Sequence, residues 1–191
     1  LRPDWNAEYD ENARKIKMAT GWEKGVDGLW RYEVEDIKIK PIMSWLFSRE
    51  ELTLGDIVED GELLRLYPSL ADIRIVKKQT LDDMNAWYNS GTKEMGLPFA
   101  TVQDSYYRNG GRMFDMNASI MYDDILHEVQ HAIQFIEGFA DGGSSSYYGR
   151  EAYNALAGEV EARNVASRSR FTPEMRRQML LATTEDVDRV D

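Results

Sequence analysis

The segment from Asn117 to Gly138 constrains the fold more than any other. Ile120, Ile125, Val129, Ala132, Ile133 and Ile136 recur mostly at spacings of three and four, which predicts a helix with one apolar face that stops at Gly138. Asn117 or Ser119 can cap its start. Inside this helix lies His127-Glu128-Val129-Gln130-His131, which holds both histidines of the 191-residue chain. Positions four apart share a helical face, so the two imidazoles project side by side and can reach one cation. Glu128 falls on the flank of that face, where a carboxylate can take a proton from a metal-bound water. A helical H-E-x-x-H is the signature of zinc metalloproteases, and chance explains it poorly when a chain has only two histidines. The bland alternative is a pair of surface histidines that bind nothing.

The chain contains no cysteine, which removes disulfides, thiol nucleophiles and thiolate zinc sites. A third protein ligand must therefore be a carboxylate. Glu159 and Glu161, in Leu156-Ala157-Gly158-Glu159-Val160-Glu161-Ala162-Arg163, are the candidates, and two positions apart they cannot both face one metal from a regular helix. Glu159 shares its stripe with Ala152, Ala155, Leu156, Ala162 and Ala166, whereas Glu161 shares one with Asn154, Gly158, Asn164 and Arg168 that reads as solvated. A carboxylate in an apolar stripe is costly unless it is paired or bound to a cation, which favours Glu159. A buried ion pair of Glu159 with Arg163 or Arg168 is the competing reading. Two imidazoles, one carboxylate and a position left to water suit Zn2+. Asp124, one turn before His127, is a candidate for fixing an imidazole tautomer, and Tyr147, Tyr148, Tyr153 and Arg163 are unranked candidates for stabilising an oxyanion.

Elsewhere the pattern is mixed. Residues Asn6 to Ala19 read as a polar helix ended by Gly21, and Leu29 to Ile39 alternates large apolar residues with charges as a strand does. A short helix is predicted within Leu52 to Leu70, closed by Pro68, with further strands at Asp72 to Val76 and Met84 to Tyr88. Gly91 to Asp115, with four glycines and Pro98 before Met113, reads as loops with at most short strands. After a Gly/Ser connector, a second long helix is expected over Tyr148 to Ser169, and a last short one over Pro173 to Ala182 with Thr172 as its cap.

The residues His127-Glu128-x-x-His131, followed on a later helix by Glu159 and Ala162, resemble the gluzincin branch of zinc metallopeptidases. More broadly the chain is similar to metallopeptidase-like domains of large polyvalent proteins from phages and other mobile elements. That resemblance is carried by Ala19-Thr20-Gly21-Trp22 with Asp27 to Glu33, Tyr67 to Ile73, Leu126 to Gln134 with Glu137 to Ala140, Ala157 to Val165 and Thr184 to Val187. It implies a His-His-Glu zinc site.

The expected fold is a single α+β domain over residues 1–191, with a small, partly antiparallel sheet packed on an active-site helix (about 118–137) and a ligand-bearing helix (about 148–169). A chain that opens on Leu1 and closes on an acidic, uncapped tail is expected to be cut from, or related to, a longer polypeptide. The expected function is zinc-dependent hydrolysis of a peptide or protein substrate, with His127, His131 and Glu159 as ligands and Glu128 as base. A catalytically silent metal-binding or interaction module is the alternative. The net charge of -11 argues against a nucleic-acid partner held by phosphate contacts. No apolar run has the length of a membrane span and no signal peptide is evident, so the bacterial host cytoplasm is the expected location.

Overall fold

A computed structural model describes residues 7–24, 29–33, 37–48, 50–59, 61–77, 85–112, 115–138, 142–143 and 145–189. Helix α1 (Ala7–Thr20) ends where Gly21 takes a left-handed φ of 77°, and leads into a hairpin of β1 (Trp22–Lys24) and β2 (Trp30–Tyr32). Strand β3 (Leu52–Thr53) is followed by helices α2 (Leu54–Ile57) and α3 (Glu62–Leu66), a 3-10 turn over Pro68–Asp72, and β4 (Arg74–Lys77). Strands β5 (Trp87–Asn89) and β6 (Glu94–Leu97) precede helix α4 (Phe99–Arg108) and the long helix α5 (Asp115–Glu137). Helices α6 (Ser145–Tyr148), α7 (Arg150–Ala155), α8 (Ala157–Arg168) and α9 (Pro173–Gln178) follow. The chain is of the α+β class, as expected. It divides into two compact units, one made of Leu1–Glu35 with Gly142–Asp191 and one made of Asp36–Asp141.

The Asp36–Asp141 unit is built on a four-stranded sheet of order β3-β4-β6-β5, in which β4 and β6 run parallel and the outer strands run antiparallel to their neighbours. Helix α5 packs on β5 and β6, as expected of the helix over about 118–137. Ile75, Met95 and Leu97 of the sheet are buried, as are Met121, Ile125, Leu126, Val129, Ala132 and Ile133 of α5. Burying one large aliphatic side chain contributes about 1.5–3 kcal/mol, so this apolar face fixes how α5 is rotated. At the outer strand, Gly96 pairs with Trp87, and a Cβ built on Gly96 would come 2.3 Å from the indole. Gly96→Ala must displace Trp87, and is expected to cost about 1–3 kcal/mol. A urea denaturation series measures this directly, and an unchanged midpoint would show that the indole yields freely.

The Leu1–Glu35 and Gly142–Asp191 unit buries charge as well as apolar surface. Lys17 and Arg168 are among the largest fully buried side chains. Lys17 Nζ donates to Glu23 Oε2 at 2.6 Å and to Glu33 Oε2 at 3.2 Å. The Arg168 guanidinium grips both oxygens of Glu33, at 2.8 and 2.7 Å, and also donates to Thr184 Oγ1 and the Arg176 and Met179 carbonyls. Glu23 in turn accepts from the Leu181 N–H at 2.9 Å. Two acids, Glu23 and Glu33, meet Lys17 and Arg168, with Arg176 Nε also 3.9 Å from Glu33, and the hydrogen bonds offset the desolvation that would otherwise make such a cluster costly.

Several local expectations need correction. The alternating stretch Leu29 to Ile39 is not one strand: β2 is short, residues 34–36 lie outside the described residues, and Ile39 bridges Val58 within the second unit. The junction between units at Glu35 and Asp36 therefore falls inside the alternation. The strand expected at Asp72 to Val76 is shifted to Arg74–Lys77, because Asp72 and Ile73 belong to the turn after Pro68. The one expected at Met84 to Tyr88 is shifted to β5, and Met84 itself lies outside the described residues. The single helix expected within Leu52 to Leu70 is two: α2 ends where Val58 turns extended and bridges Ile39, and Gly61 is the extended N-terminal cap of α3. The glycine-bracketed stretch read as loop contains α4, whose Phe99 and Val102 are buried one turn apart.

Helix α5 starts at Asp115, three to five residues before the start that a cap at Asn117 or Ser119 implies, so both residues lie inside the helix and neither caps it. The helix expected over Tyr148 to Ser169 is broken twice: Gly149 takes φ 76°, and Leu156 takes an extended ψ of 132°. Leu156 thereby packs over Gly143, where a Cβ would come 2.3 Å from its Cδ1. Helix α9 ends at Gln178, and its predicted cap is present, with Thr172 Oγ1 accepting from the Met175 N–H at 3.2 Å.

Candidate metal centre

Because α5 is regular from Asp115 to Glu137, residues 127 and 131 stand one above the other. The imidazole Nε2 atoms of His127 and His131 are 3.1 Å apart, with the rings nearly perpendicular at 84°. The other ring nitrogen of His131, Nδ1, lies 2.8 Å from Oε1 of Gln134. Gln134 is fully buried and Glu128 is only 5% exposed, while His127 and His131 are half-buried. Burial pushes the Asp124 carboxyl up to about 6; His127 opposes that rise and Asp123 adds to it. The sequence reading looked for a tautomer-fixing partner one turn before His127 and passed over Gln134, although the three-residue spacing from His131 makes them neighbours on a helix.

Glu159 sits in the first turn of α8 and is 1% exposed. Its Oε1 accepts a hydrogen bond from the Gly143 N–H at 2.9 Å. The Gly/Ser stretch is thus more than a connector, since the Gly143 N–H orients a buried carboxylate, and a side chain at 143 would have to displace the tip of Leu156. The cations considered for a Glu159 ion pair are engaged elsewhere: Arg163 Nε binds Asp186 Oδ2 at 2.8 Å and Arg168 binds Glu33.

Asn154 of the Glu161 stripe is exposed, but the part of that stripe on α8 is not solvated, contrary to its polar composition. Gly158, Glu161, Asn164 and Arg168 are all buried. Glu161 lies 3.4 Å from Arg31 Nε, while Asn164 donates to the Leu181 carbonyl and accepts from Thr184. A polar stripe can be internal when each charge meets a partner. Among the oxyanion candidates, Arg163 is committed to Asp186 and the Asn154 carbonyl, and Tyr147 and Tyr148 are exposed and stack edge to face.

Residues 6–41 are similar to a family of large polyvalent protein associated domains, number 23 of that series. This similarity supports a polyvalent-protein context; it covers α1 and the β1–β2 hairpin and ends well before His127. No curated protein and no solved structure matches the chain. Among the described residues, no helix is long and apolar enough to cross a membrane.

Proposed function

We propose that the chain is a zinc-dependent peptidase of the gluzincin type, with His127, His131 and Glu159 as protein ligands and Glu128 as general base. The observation that carries this reading is the pair of Nε2 atoms 3.1 Å apart on the helix that also bears Glu128. Two nitrogens on one tetrahedral zinc, each at the usual ~2.0–2.1 Å, stand about 3.3 Å from each other, so the imidazole pair suits that ion. Each of the two histidines offers one nitrogen and Glu159 one carboxylate oxygen, the donor set of a catalytic rather than a structural zinc. Bound there, zinc would supply Lewis acidity toward a carbonyl and bring the pKa of a water toward neutrality. Glu128 accepts the proton of the attacking water and passes it to the leaving amine.

The similarity of residues 6–41 to a polyvalent-protein associated domain favours a second reading, in which the metal serves a silent or structural module. The intact Glu128 weighs toward catalysis, because a structural site has no use for a base. Metal analysis of zinc-incubated protein, followed by digestion of a mixed peptide library, tests both. One zinc per chain, lost in His127→Ala, His131→Ala and Glu159→Ala, with peptide cleavage, is the expected result. Zinc without cleavage would leave the second reading, and no zinc would overturn both.

A further inference from the structure

A metal-binding imidazole needs a bare nitrogen toward the cation and, being neutral, carries its one proton on the other nitrogen. That proton needs an acceptor, and bulk water does not reach every such position. On α5 the acceptor is at hand: Gln134 Oε1 lies 2.8 Å from His131 Nδ1, and Gln134 is 0% exposed. A carbonyl oxygen only accepts, so the proton of this bond sits on Nδ1. His131 Nε2 is then the bare nitrogen, and it is the atom that stands 3.1 Å from His127 Nε2.

We propose that Gln134 is a positioning residue: its side-chain oxygen holds His131 in the Nδ1-protonated tautomer and presents Nε2 as the donor atom beside His127. The tautomer is a property of the chain itself, and only its consequence for zinc rests on the metal centre proposed above. Outer partners of this kind are commonly worth 10–100-fold in metal affinity.

Imidazole 15N NMR of the metal-free full chain at pH 8.5, above the ordinary imidazole range, reads the tautomer directly. With two histidines in the sequence, comparison with His127→Asn assigns the His131 signals. The expected spectrum has Nδ1 of His131 protonated, the same in Gln134→Glu, and a shift toward the Nε2-protonated form in Gln134→Met. A native His131 protonated at Nε2 would overturn the proposal, because the amide NH2 would then face Nδ1. In a chelator-competition titration with zinc, Gln134→Met should bind about 10–100-fold more weakly than native and Gln134→Glu should recover most of the loss. Equal affinities of native and Gln134→Met would remove the positioning role while the zinc reading stands. Failure of the native protein to bind zinc would remove the zinc reading, and the tautomer would then decide this proposal alone. If Gln134→Met does not fold, the native spectrum still decides, since His131 protonated at Nε2 overturns the proposal by itself.

Discussion

Glu128→Gln is expected to lower peptide hydrolysis by about 10²–10⁴-fold, the usual contribution of a general base. On the free-energy scale that is roughly 3–5 kcal/mol of transition-state stabilisation. The change is nearly isosteric at a site only 5% exposed, and it leaves the atoms of His127 and His131 in place, so zinc content should stay at the native level. Initial rates on whichever library peptides the native protein cleaves, measured beside metal content, check both halves. Equal rates for the two proteins would count decisively against catalysis by Glu128 and move the balance to the silent-module reading. Loss of both zinc and rate would be uninformative about the base, which is why Glu128→Asp belongs in the same series: it keeps the carboxylate but shortens its reach.

Arg168→Leu should be the most damaging substitution outside the metal centre, at about 3–5 kcal/mol, because it leaves the Glu33 carboxylate, whose side chain is 7% exposed, with a weakened set of partners. Truncating Glu33 together with Arg168 should recover part of that loss, since it removes the orphaned carboxylate while Lys17 keeps Glu23 as its partner. Thermal or urea unfolding of the two single variants and the double variant measures the coupling. The pH dependence has a defined sign. Burial raises the Glu33 carboxyl, but the hydrogen bond and charge of Arg168, with Lys17 and Arg176, outweigh it and hold the group below its ordinary 4.5. A carboxylate with a depressed folded pKa gives stability that is fully present above pH about 4.5 and is lost as pH falls through the folded value. Glu33→Gln should flatten that acid limb, and a wild-type limb that persists unchanged in the variant would assign it to other groups.

The α5 helix was legible because its periodicity is dense and Gly138 ends it, with φ 71° and an N–H bonded to the Gln134 carbonyl. The histidine pair was legible for the same reason, as spacing on a regular helix converts directly into proximity. The breaks in the second long helix were not. Ala155-Leu156-Ala157 contains no breaker, and the turn there comes from Leu156 seating over Gly143, a contact between positions distant in sequence. Helix α4 was hidden because its flanking glycines and Pro98 dominate a short window, while the burial of Phe99 and Val102 depends on the rest of the unit. The polar stripe of α8 misled in the opposite direction: composition reports cost of burial, and only the fold shows that Arg31 and Glu33 arrive to meet Glu161 and Arg168. Lys17 in the polar first helix was equally invisible for this reason.

The order in which parts of the chain can fold follows from the way two segments distant in sequence share one unit. Asp36–Asp141 is contiguous and can condense as soon as it emerges, whereas Lys17, Glu23 and Glu33 must wait for Arg168 and Leu181. Domains tend to fold as units during synthesis. Lys17, Glu23 and Glu33 therefore stay solvated until residues 142–191 are made, and that later segment acts as the clasp that draws them inside.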